Sequence, residues 1–235
     1  MKNRNIIIDF MDAISSGVSI SHILEKALAI ASYIGNDELI KFINSEQNGY
    51  TIEEAIPDYR RVNARVAAVF VGKFISPQTV IIPAKLINDQ RVQELMSSVY
   101  MRESLPQLAE MSRDKDEPLI SVELSATYHP LIESIFEKSE YKVDKAYYRF
   151  PKASLQGIIS SFKTLLYDLM QQFDKELDWD KKFSSTSNKE KVVSIMSNEA
   201  RPHMVNLNDF RTSIANKNDG IKAKTRKLIL PFDLV

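Results

Sequence analysis

A mixed α+β fold is predicted by a change of hydrophobic period along the chain. Up to about residue 47 the apolar residues recur at helical spacing, from Val62 they alternate, and between Leu155 and Leu177 the helical spacing returns. The prediction is an N-terminal helical layer, a small central, mostly antiparallel sheet, and a long amphipathic C-terminal helix packed on that sheet. At 235 residues, with 44% hydrophobic and 26% charged residues, the chain can bury one good-sized core, with room for an appendage.

Ile6, Ile7, Ile8, Phe10, Met11 and Ile14 predict a first helix ending near Gly17. Ser19 is placed to cap a second, which carries Ile20, Ile23, Leu24, Ala27, Leu28, Ala31 and Ile34, with Gly35 just past its end. Asn36 is placed to cap a third, with Leu39, Ile40 and Ile43 turned inward. None is long enough to persist alone in water, so the three are expected to pack as one layer.

Residues 48–61, NGYTIEEAIPDYRR, join the two kinds of structure. Asn48-Gly49 stops a helix, because glycine takes positive φ without steric cost, and Pro57 fixes a second turn. Between and beyond them stand Tyr50, Asp58, Tyr59, Arg60 and Arg61, residue types that bind more often than they fill.

Past this joint Val62, Ala64, Val66, Ala68 and Phe70 alternate with Asn63, Arg65 and Ala67, which predicts one strand with a buried face. Gly72 to Pro77 turns the chain, Thr79 to Ile82 returns it as a hairpin, and Pro83 ends the hairpin. Residues 84–113 read as helix in two pieces, parted around Glu103 to Pro106. Ile120, Val122 and Leu124 predict a third strand, Pro130 to about Lys138 a short helix, and residues 142–150 a fourth strand. The long helix runs from about Lys152 to Asp178. Its ten inward positions are Leu155, Ile158, Ile159, Phe162, Leu165, Leu166, Leu169, Met170, Phe173 and Leu177. Burying them is worth on the order of 15–30 kcal/mol before any entropy is set against it. Adjacent pairs such as Leu165-Leu166 make the stripe wider than a coiled-coil seam, so burial within its own domain is expected.

From Asp180 the texture becomes polar. Residues 5–180 therefore read as one α/β domain, and 181–235 as a basic, loosely ordered tail with a short helix near Lys191 to Met196. Of the 31 cations and 31 anions, the tail holds 11 and 5, so it carries about +6 and the body about −6. Such a tail either lies on its own acidic body, stays solvated, or binds nucleic acid.

Composition narrows the chemistry. The absence of cysteine excludes disulfides, thiolate catalysis and zinc-thiolate sites. The three histidines, His22, His129 and His203, have no second histidine at helical spacing. No apolar run reaches the ~18 residues of a membrane span, and Asp9 and Asp12 interrupt the first apolar stretch, so no signal peptide is expected. A cytoplasmic protein without membrane attachment is the expectation. With no GxxxxGK[ST], GxGxxG, HExxH or GxSxG and only six glycines, no nucleotide loop, metalloprotease helix or nucleophile elbow is spelled out, and no cofactor is expected.

Three constellations remain. Asp58 with Arg60 or Arg61 makes a clamp that would fix the joint, since a guanidinium takes a carboxylate bidentately. In the competing reading Tyr50, Tyr59 and Arg60 or Arg61 face outward and bind a partner. Glu123, Glu140 and Lys142 loosely imitate the carboxylate and lysine set of a metal-dependent nuclease. Glu53-Glu54 reads as a solvated turn, or as acid/base groups if the fold buries them.

The order of these features resembles the AbiTii-type domain of bacterial abortive-infection, anti-phage proteins. The resemblance lies in Ser16-Gly17, Ala27 to Ala31, Glu46-Gln47-Asn48-Gly49-Tyr50, Pro57-Asp58-Tyr59-Arg60 and the helix from Leu155 to Leu177, across roughly residues 5–180. Gln47 departs from the leucine that the pattern favours. The resemblance implies a role in phage defence that ends in arrest or death of the infected cell, and it makes Asn48, Gly49, Tyr50, Asp58, Tyr59, Arg60 and Arg61 defining positions. It carries over no catalytic residue. The leading expectation is a non-enzymatic sensor or adaptor whose partner is a phage component or a neighbouring defence protein, with self-association open. The alternatives are a nuclease effector and nucleic-acid binding through the tail.

Overall fold

The computed structural model describes residues 2–73, 75–87, 90–113, 118–136, 141–181 and 185–204. Three helices open it: α1 (Lys2–Ser15), α2 (Ile20–Ile34) and α3 (Asp37–Asn48). Their limits come from capping chemistry. Ser19 Oγ accepts the His22 backbone N–H at 3.3 Å, and Asn36 Oδ1 accepts that of Leu39 at 2.8 Å. Gly35 closes α2 at φ 72°, donating its N–H to the Ala31 carbonyl.

A 3₁₀ turn at Asp58–Arg60 leads into β1 (Arg61–Asn63), β2 (Arg65–Gly72) and β3 (Ile75–Ile82). The single strand expected over 62–70 is thus two, parted at Ala64, whose N–H donates to the Ser97 carbonyl at 2.8 Å. Next come α4 (Gln90–Ser97), β4 (Ser98–Tyr100) and α5 (Leu105–Arg113). The two helical pieces expected between 84 and 113 are therefore separated by a strand. Its Val99-Tyr100 has β propensity, but three residues are too few to show an alternating period. The chain continues through β5 (Leu119–Glu123), α6 (His129–Glu133), β6 (Lys142–Pro151), α7 (Ala153–Glu176) and α8 (Thr186–Ile195). A π-helical turn, Met196–Ala200, precedes α9 (Arg201–Met204).

β1 pairs with β4, and the other strands form an antiparallel sheet in the order β3-β2-β6-β5. In β6 the register slips at Asp144, where Val69 faces Lys145 but Phe70 faces Val143. That bulge breaks the alternation that would otherwise mark the strand in the sequence.

The described residues fall into two compact units interleaved along the chain. One is helical and gathers the residues up to Arg60, Tyr100 to Arg113 and Leu155 to Met204. Of the ten apolar positions of the long helix, eight are at most 5% exposed, while Ile159 and Leu165 are half-buried. Phe162 meets Phe42 of α3 with ring centroids 6.0 Å apart. From Leu155 onward α7 belongs to the helical unit. Its stripe reads the same whatever it packs on, so period alone does not name the partner.

Residues 185–204, expected in a loosely ordered tail, are built into the same unit. Val192, Ile195, Met196, Ala200 and Met204 are buried. The Asn188 side chain donates to the Asp178 carbonyl and accepts its N–H, at 3.0 and 2.9 Å. The expected tail beyond Met204 lies outside the described residues.

The second unit holds the four-stranded sheet. Val66, Ala68, Phe70, Ala146, Tyr148 and Phe150 line its buried face. Tyr148 Oη donates to the Leu95 carbonyl of α4 at 2.9 Å, and Phe70 meets Phe136 edge to face at 5.1 Å.

Candidate functional site

Around the joint the chain builds a closed polar cluster. Leu39, Phe42 and Ile43 are buried on α3, and the same stripe brings Glu46 inward one turn later. Its carboxylate meets Arg60, delivered by the 3₁₀ turn that Pro57 starts; both side chains are 0% exposed. Glu46 Oε2 accepts from Arg60 Nη2 at 2.6 Å, and Oε1 from Arg60 Nε at 3.0 Å. The remaining Arg60 nitrogen, Nη1, donates to the Met101 and Glu103 carbonyls at 2.9 and 2.7 Å. Glu46 Oε1 also accepts the Tyr50 and Tyr59 hydroxyls, at 2.5 and 2.6 Å. The Arg60 guanidinium lies 4.8 Å from the centre of the Tyr50 ring. Among the described residues no buried side-chain nitrogen or oxygen lacks a partner.

Electrostatics follow from this packing. Burial, and then the Glu46 charge, push the Tyr50 and Tyr59 phenols well above their ordinary range. For Arg60, burial opposes the charge, but Glu46 outweighs it and holds the guanidinium above its usual value. The cluster is therefore one carboxylate paired with one guanidinium, with two phenols held as donors to the carboxylate.

Gly49 explains why the preceding break is Asn-Gly. At φ 91° it takes a conformation reserved for glycine, and an added Cβ would stand 2.8 Å from the Arg102 carbonyl oxygen. The Tyr50 N–H donates to that same oxygen, at 2.8 Å.

The clamp expected between Asp58 and an arginine is corrected in its carboxylate: Arg60 pairs with Glu46. Asp58 instead accepts from Tyr100 Oη at 3.2 Å, and Arg61 Nε donates to Ser98 Oγ at 2.9 Å. The outward-facing alternative does not fit Tyr50 and Arg60, which are buried. Glu46 was the residue missed, and its signal was available. A glutamate stands where the spacing of Leu39, Phe42 and Ile43 calls for an apolar side chain.

Beside the cluster the surface opens into a cleft of about 390 Å³. Phe42, Tyr50 and Met204 give it apolar walls, Glu38, Glu53 and Glu54 bring carboxylates, and Lys41 a single ammonium. Glu54 is fixed by the Thr51 N–H and by Ser45 Oγ, at 2.8 and 3.3 Å, so Glu53-Glu54 is a shaped turn with one member anchored. Arg201 grips Glu38 bidentately at 2.9 and 2.8 Å, which holds Glu38 below its ordinary pKa. Ile52, between lining residues in the chain, is 80% exposed.

A family model, AbiTii, matches residues 7–199. The chain belongs to the AbiTii family. The match takes in the joint, the cleft walls up to Glu54 and Ala55, and α8, so it passes the boundary placed at residue 180. No curated protein and no solved structure matches the chain. AbiTii is an abortive-infection associated domain, which ties this chain to abortive-infection defence.

Of the nuclease constellation, the two described members, Glu123 and Lys142, are not brought together in this AbiTii chain. Glu123 ends β5 and faces Tyr147, five residues along β6 from Lys142, or roughly 16 Å of strand. Lys142 is instead paired with Glu133 at 3.3 Å. Glu140 lies outside the described residues. Among the described residues no three His, Asp or Glu groups are placed to hold a metal ion. His22 and His203 are exposed, and His129 is half-exposed at the start of α6. Among the described residues no helix is long and apolar enough to cross a membrane.

Proposed function

We propose that this AbiTii chain acts in abortive-infection defence as a sensor or adaptor, and that the cleft beside the joint takes a segment of a partner protein. The observation behind this reading is the double role of Tyr50. Its hydroxyl belongs to the buried cluster while its ring lines the cleft, so the Glu46–Arg60 pair sets the shape of the binding surface. Apolar walls with three carboxylates nearby suit an apolar side chain flanked by lysine or arginine, from a phage component or a neighbouring defence protein. Ile52 supplies an exposed apolar anchor next to the cleft.

Ile52→Asp and Glu53→Lys change this surface without touching the buried cluster. In cells that depend on the chain for protection, both variants should let phage plaque as if the chain were absent. Their denaturation midpoints should stay near wild type, as surface changes do. Full protection by both variants would overturn the proposal.

A further inference from the structure

The second face of the four-stranded sheet has a different chemistry from the buried one. Arg65, Lys145 and Arg149 are exposed on it, Tyr147 is half-buried, and Thr79, Ile81, Ser121 and Glu123 are exposed around them. The pairing places these residues on a grid. Arg65 stands directly opposite Arg149, which stands opposite Ser121. In the next row Ile81, Ala67, Tyr147 and Glu123 are aligned, and Lys145 follows opposite Val69.

Like charges directly opposite in an antiparallel pair repel each other. Among the described residues none of these three cations has a hydrogen-bond or ion-pair partner, although Glu123 is only one row away. The arrangement weakens the sheet by itself and strengthens it once an anion bridges the two guanidiniums. From Arg149 to Lys145 the strand spans roughly 13 Å, with Tyr147 midway. Cations at both ends of an aromatic ring suit a flexible strand that places phosphates on the cations and a base on the ring. The hydroxyls of Thr79 and Ser121 and the Glu123 carboxylate are acceptors or donors of the kind that read a ribose 2′-hydroxyl.

We infer that this face of the sheet binds single-stranded RNA, with Arg65, Lys145 and Arg149 on phosphates and Tyr147 stacked on a base. Its residues are shared neither with the proposed protein cleft nor with the basic segment beyond Met204.

The test is fluorescence anisotropy of the full chain with labelled U20 RNA and dU20 DNA, between 50 and 200 mM salt. Three phosphate contacts should give a log–log salt slope of about −2, and each of Arg65→Ala, Lys145→Ala and Arg149→Ala should reduce it by about 0.7. Tyr147→Ala should weaken binding roughly five- to 150-fold. Neutralising Lys222, Lys224, Arg226 and Lys227 together in the full chain should leave most of the affinity. Circular dichroism of each variant keeps loss of contact distinct from loss of fold. The inference is overturned if folded sheet variants bind like wild type, if the Lys222 to Lys227 variant abolishes binding, or if no RNA binds at 50 mM salt. Equal or tighter binding of dU20 would overturn the assignment to RNA.

Discussion

Glu46 accepts hydrogen bonds from two phenols and a guanidinium with its side chain fully out of solvent, which makes it the most consequential single residue of the joint. Glu46→Ala would leave Arg60 charged and unpaired inside the protein. Losing one partner of such a pair costs about 3–5 kcal/mol, against a typical total of about 5–15. Urea denaturation should show that loss, or no cooperative transition at all. The tyrosines add a pH signature. Their folded values lie above the ordinary 10.0. Below pH 10 both states keep the proton and the fold keeps its full advantage. Above pH 10 the unfolded chain releases protons that the fold still holds, so stability falls by about 1.4 kcal/mol per pH unit for each phenol. Denaturation midpoints from pH 9 to 11.5 measure this, and Tyr50→Phe with Tyr59→Phe should flatten the decline. In the sequence the two halves of the pair were not equally legible. Arg60 stands among turn residues that announce themselves, whereas Glu46 lies fourteen positions earlier, on a helix whose charged residues normally face water.

Gly49 and Gly35 end neighbouring helices, both at positive φ, yet they should respond differently to the same change. A Cβ on Gly35 meets nothing within 4 Å, so Gly35→Ala should cost only the strain of a left-handed alanine, about 1–2 kcal/mol. Gly49→Ala drives a methyl onto the backbone of residues 102–104, next to the carbonyls that hold Arg60, and should cost more. Thermal melts of the two variants rank them. Helix limits were legible because caps are local: Ser19, Gly35 and Asn36 act within four residues of their own positions. β4 and the bulge in β6 were not, because three residues set no period and a one-residue slip cancels it.

At the scale of the whole chain, folded structure continues past residue 180. A polar composition after Asp180 resembles a linker, but α8 and α9 bury Val192, Ile195, Met196 and Met204, and Arg201 ties them to Glu38 on α3. Ending the chain at Asp180 should therefore cost far more in melting temperature than ending it after Met204, which calorimetry would show. Composition averages over a window and overlooks a few well-spaced apolar residues.

The central claim is that Glu46 and Arg60 brace the joint from within and meet no partner. A double-mutant cycle with Glu46→Leu and Arg60→Met, followed by urea denaturation, tests it most directly. Each single change should be strongly destabilising, and the pair together should cost less than their sum by about 2–3 kcal/mol. Single variants that stay near wild-type stability and combine additively within about 0.5 kcal/mol would contradict the brace.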